Sequence, residues 1–474
     1  MSLGRSNRQI KDFGLVTLAN LFIVLAGLFS GFVLPKFLDP DQYGYVRLFA
    51  FYTSYVGFLH FGFNDGIYIR YASYEYDELP RNKFSVYFWV ISISQTVISL
   101  LMILYFKFYI NEPVRYSVIF FVCLNVVILN VTTFFNFINQ ITRRFRIYAN
   151  NTILSKALYM LISTVLLFAG IRSYIFYIAT EVIINFAVLL IYGYSCRDLA
   201  FGKVKRYDET LKDLSQNITI GFFVMMGNFT GSLVWGIGQY FIDRFFPLSD
   251  FAVYSFAVNL IGTAFYVFMP MATIVYPYLA RVSKENIGRL YARIELILFM
   301  ITGSFLAAFF ILKPIITAYL PYYTDSMNIL LILFPVLIYN AQRSILQSNF
   351  YKIMMYQRAY TINNASALVV SILMCGTAYY VFKSTVAVSI ASIAGFYIWL
   401  VYSDYFFSRR INFNFLKMHI VEFLTSIVFW VTGFAFKWYI GLALYMAGFL
   451  MLLYLFYRED LLLLKEKKSG YLSC

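Results

Sequence analysis

FGLVTLANLFIVLAGLFSGFVLPKFLDPDQYGYVRLFAFYTSYVGFLHF, residues 13–61, is the stretch on which the fold turns. Its first apolar run, near 13–34, holds no charged side chain. As a helix it extends about 33 Å at 1.5 Å per residue, enough to cross a hydrocarbon core of about 30 Å. A polar corner, KFLDPDQ, follows, and Asp39 and Pro40 favour a turn before the helix restarts. A second apolar run, near 44–63, carries Arg47 about one turn in. Apolar run, polar corner, apolar run is the signature of a membrane-spanning helical hairpin.

The pattern continues to the end of the 474-residue chain. Further runs lie near 84–105, 116–138, 151–170, 174–195, 217–241, 251–277, 291–312, 327–346, 361–381, 386–404, 418–436 and 439–457, giving fourteen spans in all. Only 13% of the residues are charged and 61% are hydrophobic, with a mean hydropathy of +0.71. Soluble globular proteins carry roughly 25% charged residues. The runs are too continuous for the alternating strands of an outer-membrane barrel. The fold class is an all-α polytopic membrane protein.

The formal net charge of +15 would point to nucleic acid in a soluble protein. Here most of the 38 Lys and Arg fall in loops on one side of the predicted spans, as the positive-inside rule requires, and no nucleic-acid partner is implied. The basic start, MSLGRSNRQIKDFG, leads directly into a full-length span without a small-residue cleavage site, so it reads as an uncleaved first helix. An even span count then leaves both termini in the cytoplasm. Cys123, Cys196, Cys375 and Cys474 are scattered, with no metal-ligand spacing.

The longest internal polar stretch, CRDLAFGKVKRYDETLKDLSQN (196–217), falls almost halfway along the chain. It predicts a cytoplasmic linker (196–216) between an N-terminal six-helix bundle (1–195) and a C-terminal one (217–404), followed by two additional helices and a tail (405–474). Internal repetition supports two pseudo-symmetric halves. Displaced by 208 positions, Asn20 falls on Asn228, Lys36 on Arg244, Phe37 on Phe245 and Tyr43 on Phe251. The corner thus has a second copy, FFPLSDFAVYSFA (245–257). Displaced by 212, RIYANN (146–151) falls on RAYTIN (358–363) as R-x-Y-x-x-N. Six spans per copy keep both copies in the same orientation, related by an axis along the membrane normal.

The corner with its flanking runs (13–49), followed by FGFNDGIYIRYA (61–72), resembles the amino-terminal region of Wzx-type polysaccharide flippases. These belong to the superfamily that also contains the drug-extruding MATE transporters and the lipid II flippases. Length, span count and two six-helix halves agree along the whole chain. The resemblance implies translocation of an undecaprenyl-pyrophosphate-linked oligosaccharide to the external leaflet of a bacterial cytoplasmic membrane, for O-antigen or capsule synthesis. It also implies alternation between inward-open and outward-open V shapes around a basic central cavity. A proton or sodium ion is the candidate driver and a polysaccharide polymerase the candidate protein partner, with no cofactor, metal or catalytic residue. One departure is that Ser255 stands in the second copy where the first has Arg47.

A lipid-linked sugar presents a pyrophosphate, a polar glycan and a prenyl tail, so its carrier needs cations in a wet cavity. Arg suits the diphosphate because its planar fork pairs two oxygens and stays charged. Ionisable groups inside spans are costly and usually face a cavity or a partner. Arg47 reads either as a ligand at the external side of the cavity or as a side chain snorkelling to headgroups. Arg70 reads as a ligand, as cytoplasmic anchoring or as a partner of Asp65. On one continuous helix, Arg47 and Arg70 would stand about 35 Å apart and could not grip one pyrophosphate together.

Arg343, with Asn340 and Gln347 one turn to either side, is expected to line the cavity. Lys156 admits snorkelling as readily as substrate contact. Asn20 and Asn228 are substrate candidates or interhelical hydrogen-bond glue. Glu181 reads as the one acidic residue well inside a span, either an ion-coupling site or a packed carboxyl. Glu295 and Glu422, nearer span ends, are expected to pair with Arg293 or Lys417, and His60 and His419 look isolated. The phospholipid bilayer is a further partner, and the tail YREDLLLLKEKKSGYLSC (457–474) suits the surface of its cytoplasmic leaflet.

The sequence contains no Walker loop, nucleophile elbow, zinc motif or dinucleotide fingerprint. A cation-coupled multidrug exporter of the same architecture or a lipid II flippase is the alternative. A drug exporter favours acidic cavity groups, whereas the candidates here are mainly basic. A membrane glycosyltransferase needs catalytic carboxylates in larger loops than these.

Overall fold

A computed structural model describes residues 2–202, 210–269, 271, 287–411 and 413–466. The carboxyl end of the tail, part of the expected linker and the end of the expected span 251–277 lie outside the described residues. Every element found among the described residues is helical. Helices satisfy their own backbone hydrogen bonds, which is what allows a chain to cross lipid.

Twelve helices among the described residues are long and apolar enough to cross a membrane, and a thirteenth is a bent pair, Ser326–Leu333 with Val336–Ile353, turning by 46° at Pro335. The remaining expected span, 44–63, is not one helix. It runs as Pro40–Val56, passes through a 3-10 turn and resumes as Phe63–Arg70. At the break Phe61 (φ 50°) and Gly62 (φ 82°) are left-handed. The flanking apolar residues hid this break, although Gly57 and Gly62 stand at its two ends and His60 lies within it.

The corner reads as expected. Leu38 and Asp39 are extended, and Pro40 opens the next helix, where its missing N–H costs nothing. Its second copy is built alike, with Pro247 preceding Leu248–Tyr266.

The chain divides into two compact units. The first comprises 1–267 with 357–372, the second 268–356 with 373–474. In the first, the helices that follow the two corners pack on each other: Gly44 lies against Leu248 and Ala252, and Phe51 meets Phe251 at 6.1 Å between ring centroids. Tyr43 and Phe251, matched by the repeat, are both fully buried. The second unit is centred on Phe309, Phe310, Phe334, Phe429 and Tyr445, whose rings pack edge-to-face and stacked. Phe415–Ala435 and Trp438–Glu466 contribute to this core, and the Tyr445 hydroxyl donates to the Gly303 carbonyl at 2.6 Å.

Candidate functional site

The corner sends Pro40–Val56 back through the first unit and places Arg47 two turns from its start. Arg47 is half-buried, and its Nη1 donates to Ser30 Oγ at a long 3.4 Å. Ser30 lies in a π-turn, Phe29–Val33, that interrupts the first span. Such single-turn bulges concentrate at functional sites. The Nε of Arg47 is buried without a hydrogen-bond partner. Lys156, from Phe145–Phe168, and Arg47 both act electrostatically on Glu181, from Tyr174–Ser195. Arg47 and Glu181 act in turn on the Tyr159 phenol. Four helices therefore gather three of the sequence candidates into one locus with two cations and one carboxyl group.

Arg70 is engaged elsewhere, and not with Asp65. Its Nη2 lies 2.6 Å from Asp213 Oδ1, and Nη1 donates to the Asn217 side chain and to the Asp213 carbonyl. Lys83 Nζ approaches the other Asp213 oxygen at 3.2 Å, and the Tyr87 hydroxyl donates to it. Asp65 instead faces His60, at 3.5 Å from Nε2. Because the chain breaks at 57–62, the single-helix geometry that separates Arg47 from Arg70 does not apply. Asn20 is half-buried and Asn228 exposed, and among the described residues neither makes a hydrogen bond of the glue type.

The broken span also walls a cavity of about 680 Å³ in the first unit. Tyr55, Phe58, Phe106, Met225 and Phe229 give it an apolar interior. Arg115, Arg244 and Glu112 also line it. Arg115 is paired with Asp243 at 2.5 Å, and Tyr52 donates to the same carboxylate, whereas Arg244 is exposed. Sequence reading ranked neither Arg115 nor Arg244, since both stand at predicted loop margins.

In the second unit Arg343 is 3% exposed, with its guanidinium 4.1 Å from the Trp399 ring centroid. It lies in a second π-turn, Gln342–Gln347, so the α-helical spacing expected to align Asn340, Arg343 and Gln347 does not hold there. Asn340 accepts from Ser344, and Gln347 donates to the Leu400 carbonyl.

His419 is not isolated. Its Nδ1 lies 3.0 Å from Glu422 Oε2 and its Nε2 3.1 Å from Asp404 Oδ2. Gln342 donates to the other Glu422 oxygen and Tyr291 to the other Asp404 oxygen. Glu295, equally buried, acts electrostatically on Asp404 and Glu422. Glu295 and Glu422 therefore do not take Arg293 and Lys417 as partners; Arg293 is exposed and Lys417 lies over the Tyr457 ring. Glu181 is also not alone as an intrahelical acid, since these three carboxyls are at most 1% exposed on long apolar helices. The i, i+3 spacing of His419 and Glu422 was the available signal, but Asp404 and Glu295 reach them only through helix packing.

Comparison with known proteins agrees with the fold and with the resemblance read from residues 13–72. A family model described as polysaccharide biosynthesis protein matches residues 10–283. Among solved structures, the lipid II flippase MurJ in an inward closed conformation aligns at a TM-score of 0.63 and 15% identity, covering 94% of this chain and 99% of MurJ. An inward-facing multidrug resistance MATE family transporter of the MOP superfamily aligns at 0.62 and 13% identity, covering 83% of this chain and 94% of its own. An outward-facing one aligns at 0.58 and 12%, covering 82% and 93%. No curated protein matches the chain in sequence.

Proposed function

The chain belongs to the polysaccharide biosynthesis protein family, and from that premise we propose that it is a flippase for lipid-linked oligosaccharides, moving pyrophosphate-linked repeat units across the cytoplasmic membrane by alternating access. The observation that carries the reading is Arg47. A guanidinium set inside an apolar span, with one long hydrogen bond and a buried Nε left over, is an unfilled donor for a phosphate oxygen. A snorkelling side chain would instead carry its head to water. Lys156 adds a second cation, and the Glu181 carboxyl feels both. The excess of positive charge suits an anionic cargo better than a cationic drug. The apolar cavity with Arg244 at its margin suits a phosphate-bearing lipid chain. Delivery of O-antigen or capsule units to a polymerase, and drive by a proton or sodium gradient, belong to the same reading.

The test is flipping of defined pyrophosphate-linked glycans in proteoliposomes. A hydrogen bond to a charged group is worth about 1.5–3 kcal/mol, so Arg47→Gln should slow flipping about tenfold to a hundredfold with insertion unchanged. Flipping at the wild-type rate would remove Arg47 from the site. Export of organic cations without any glycan flipping would favour the multidrug exporter.

A further inference from the structure

We propose that Glu295, Asp404, His419 and Glu422 form a proton-binding site in the second unit, with one proton held between the carboxyls of Glu295 and Asp404. All four residues are at most 4% exposed. They come from three helices, Ile287–Phe305, Thr385–Ile411 and Phe415–Ala435, and a fourth element supplies Gln342.

Counting protons decides the ligand. Doubly protonated, His419 balances one of its two flanking carboxylates, and the Tyr291 and Gln342 donors solvate Asp404 and Glu422 without adding charge. Glu295 would then add a second uncompensated negative charge beside Asp404. Each buried ion costs several kcal/mol in such surroundings. Glu295 and Asp404, both buried, act on each other electrostatically; two such carboxyls cannot both be ionised cheaply, and one proton between them relieves the repulsion. The unpaired atoms agree: Glu295 Oε1 and Asp404 Oδ2 are both buried with no hydrogen-bond partner, as is His419 Nε2 in spite of its 3.1 Å approach to Asp404 Oδ2, so the two carboxyl oxygens have room for a proton.

Charged and titratable groups on the packed elements have partners of their own: the buried Arg343, next to Gln342, lies over the Trp399 ring. Tyr339 pairs with Ser426, Tyr351 with Ser403, and Tyr397 donates to the His419 carbonyl. Among the described residues, no group of three or more His, Cys, Asp and Glu side chains has the geometry of a metal site. The cluster lies about two turns from the end where Thr385–Ile411 meets Phe415–Ala435, an end that also carries Arg409 and Arg410. By the positive-inside rule that end faces the cytoplasm, which makes the cytoplasm the nearer proton source. Loss of the shared proton would leave two like charges between Ile287–Phe305 and Thr385–Ile411, while His419 and Glu422 tie Phe415–Ala435 to the same event. Protonation thereby sets the packing of a C-terminal helix outside the repeated halves.

The full-length protein in nanodiscs, without substrate or gradient, provides the test, so the outcome is independent of which cargo is flipped. Infrared difference spectra recorded as the pH is raised should show a protonated-carboxyl stretch that titrates away and shifts in D2O. Glu295→Gln should lose this band, and in alkaline pH jumps read by an indicator dye it should release about one proton fewer per chain. Glu75→Gln, at an exposed site, should keep the band. Tyr291→Phe removes only a donor to Asp404 and should shift the titration in a folded protein even if Glu295→Gln does not fold. A wild-type protein without a titrating carboxyl band would overturn the site, as would a band unchanged in Glu295→Gln, or one abolished by sodium at constant pH.

Discussion

Arg47 and Arg70 sit on the same stretch of chain and differ only in what surrounds them. Arg70 has its charge met by Asp213, whose carboxylate also takes Lys83 and Tyr87, so the cluster is a structural tie between Phe63–Arg70, Arg81–Tyr109 and Thr210–Phe245. The Asp213 side chain is 7% exposed, and its removal would take a carboxylate from Arg70 and Lys83 together. Asp213→Asn should therefore cost about 2–3 kcal/mol, toward the lower end for a buried pair because Arg70 keeps some contact with water. Thermal unfolding in detergent reads that loss. An unchanged midpoint together with slower flipping would instead return Arg70 to the list of ligands. Arg47, by contrast, keeps a donor in reserve, and a donor in reserve is what a transient ligand requires.

At the scale of elements, the decisive feature is the interrupted span. At the break the Val56 carbonyl accepts from Asn130 and the Leu59 carbonyl from Gln95, each at 3.0 Å. Unpaired backbone in lipid costs several kcal/mol per group, and these two amides give the carbonyls at the break side-chain donors. Beyond it, Phe63–Arg70 crosses Thr210–Phe245 at glycine-on-glycine distance. A Cβ at Gly66 would collide with the Asn217 carbonyl oxygen, and one at Gly221 with the Gly62 carbonyl oxygen. Small residues permit such close backbone approach. Gly221→Ala should destabilise by about 1–3 kcal/mol through overpacking, whereas Gly262→Ala, with nothing within 4 Å of the added carbon, should be neutral. Equal unfolding midpoints for the two variants would show that the crossing tolerates spreading.

For the whole molecule, the charge bias of the loops sets the proposed orientation. A single cysteine at Asn111, in an otherwise cysteine-free chain, should react with an impermeant maleimide in intact cells, and one at Arg143 only after permeabilisation. The reverse pattern would invert the assignment of both termini. The spans themselves were legible because transfer into lipid is a sum over neighbouring residues: twenty apolar side chains in a row are enough, whatever they later touch. The corner at 37–40 was legible for the same local reason, since Asp and Pro dictate a turn through their own backbones. Neither π-turn, nor the break at 57–62, left a mark in the hydropathy. Asp213 stands 143 positions from Arg70 and Asp404 113 from Tyr291, separations at which no periodicity speaks. By itself the sequence determined that the chain crosses the membrane many times, where it turns and which family it resembles. Only the tertiary structure decided which charges meet, because ion pairing falls off within a few ångströms and depends on which helices become neighbours.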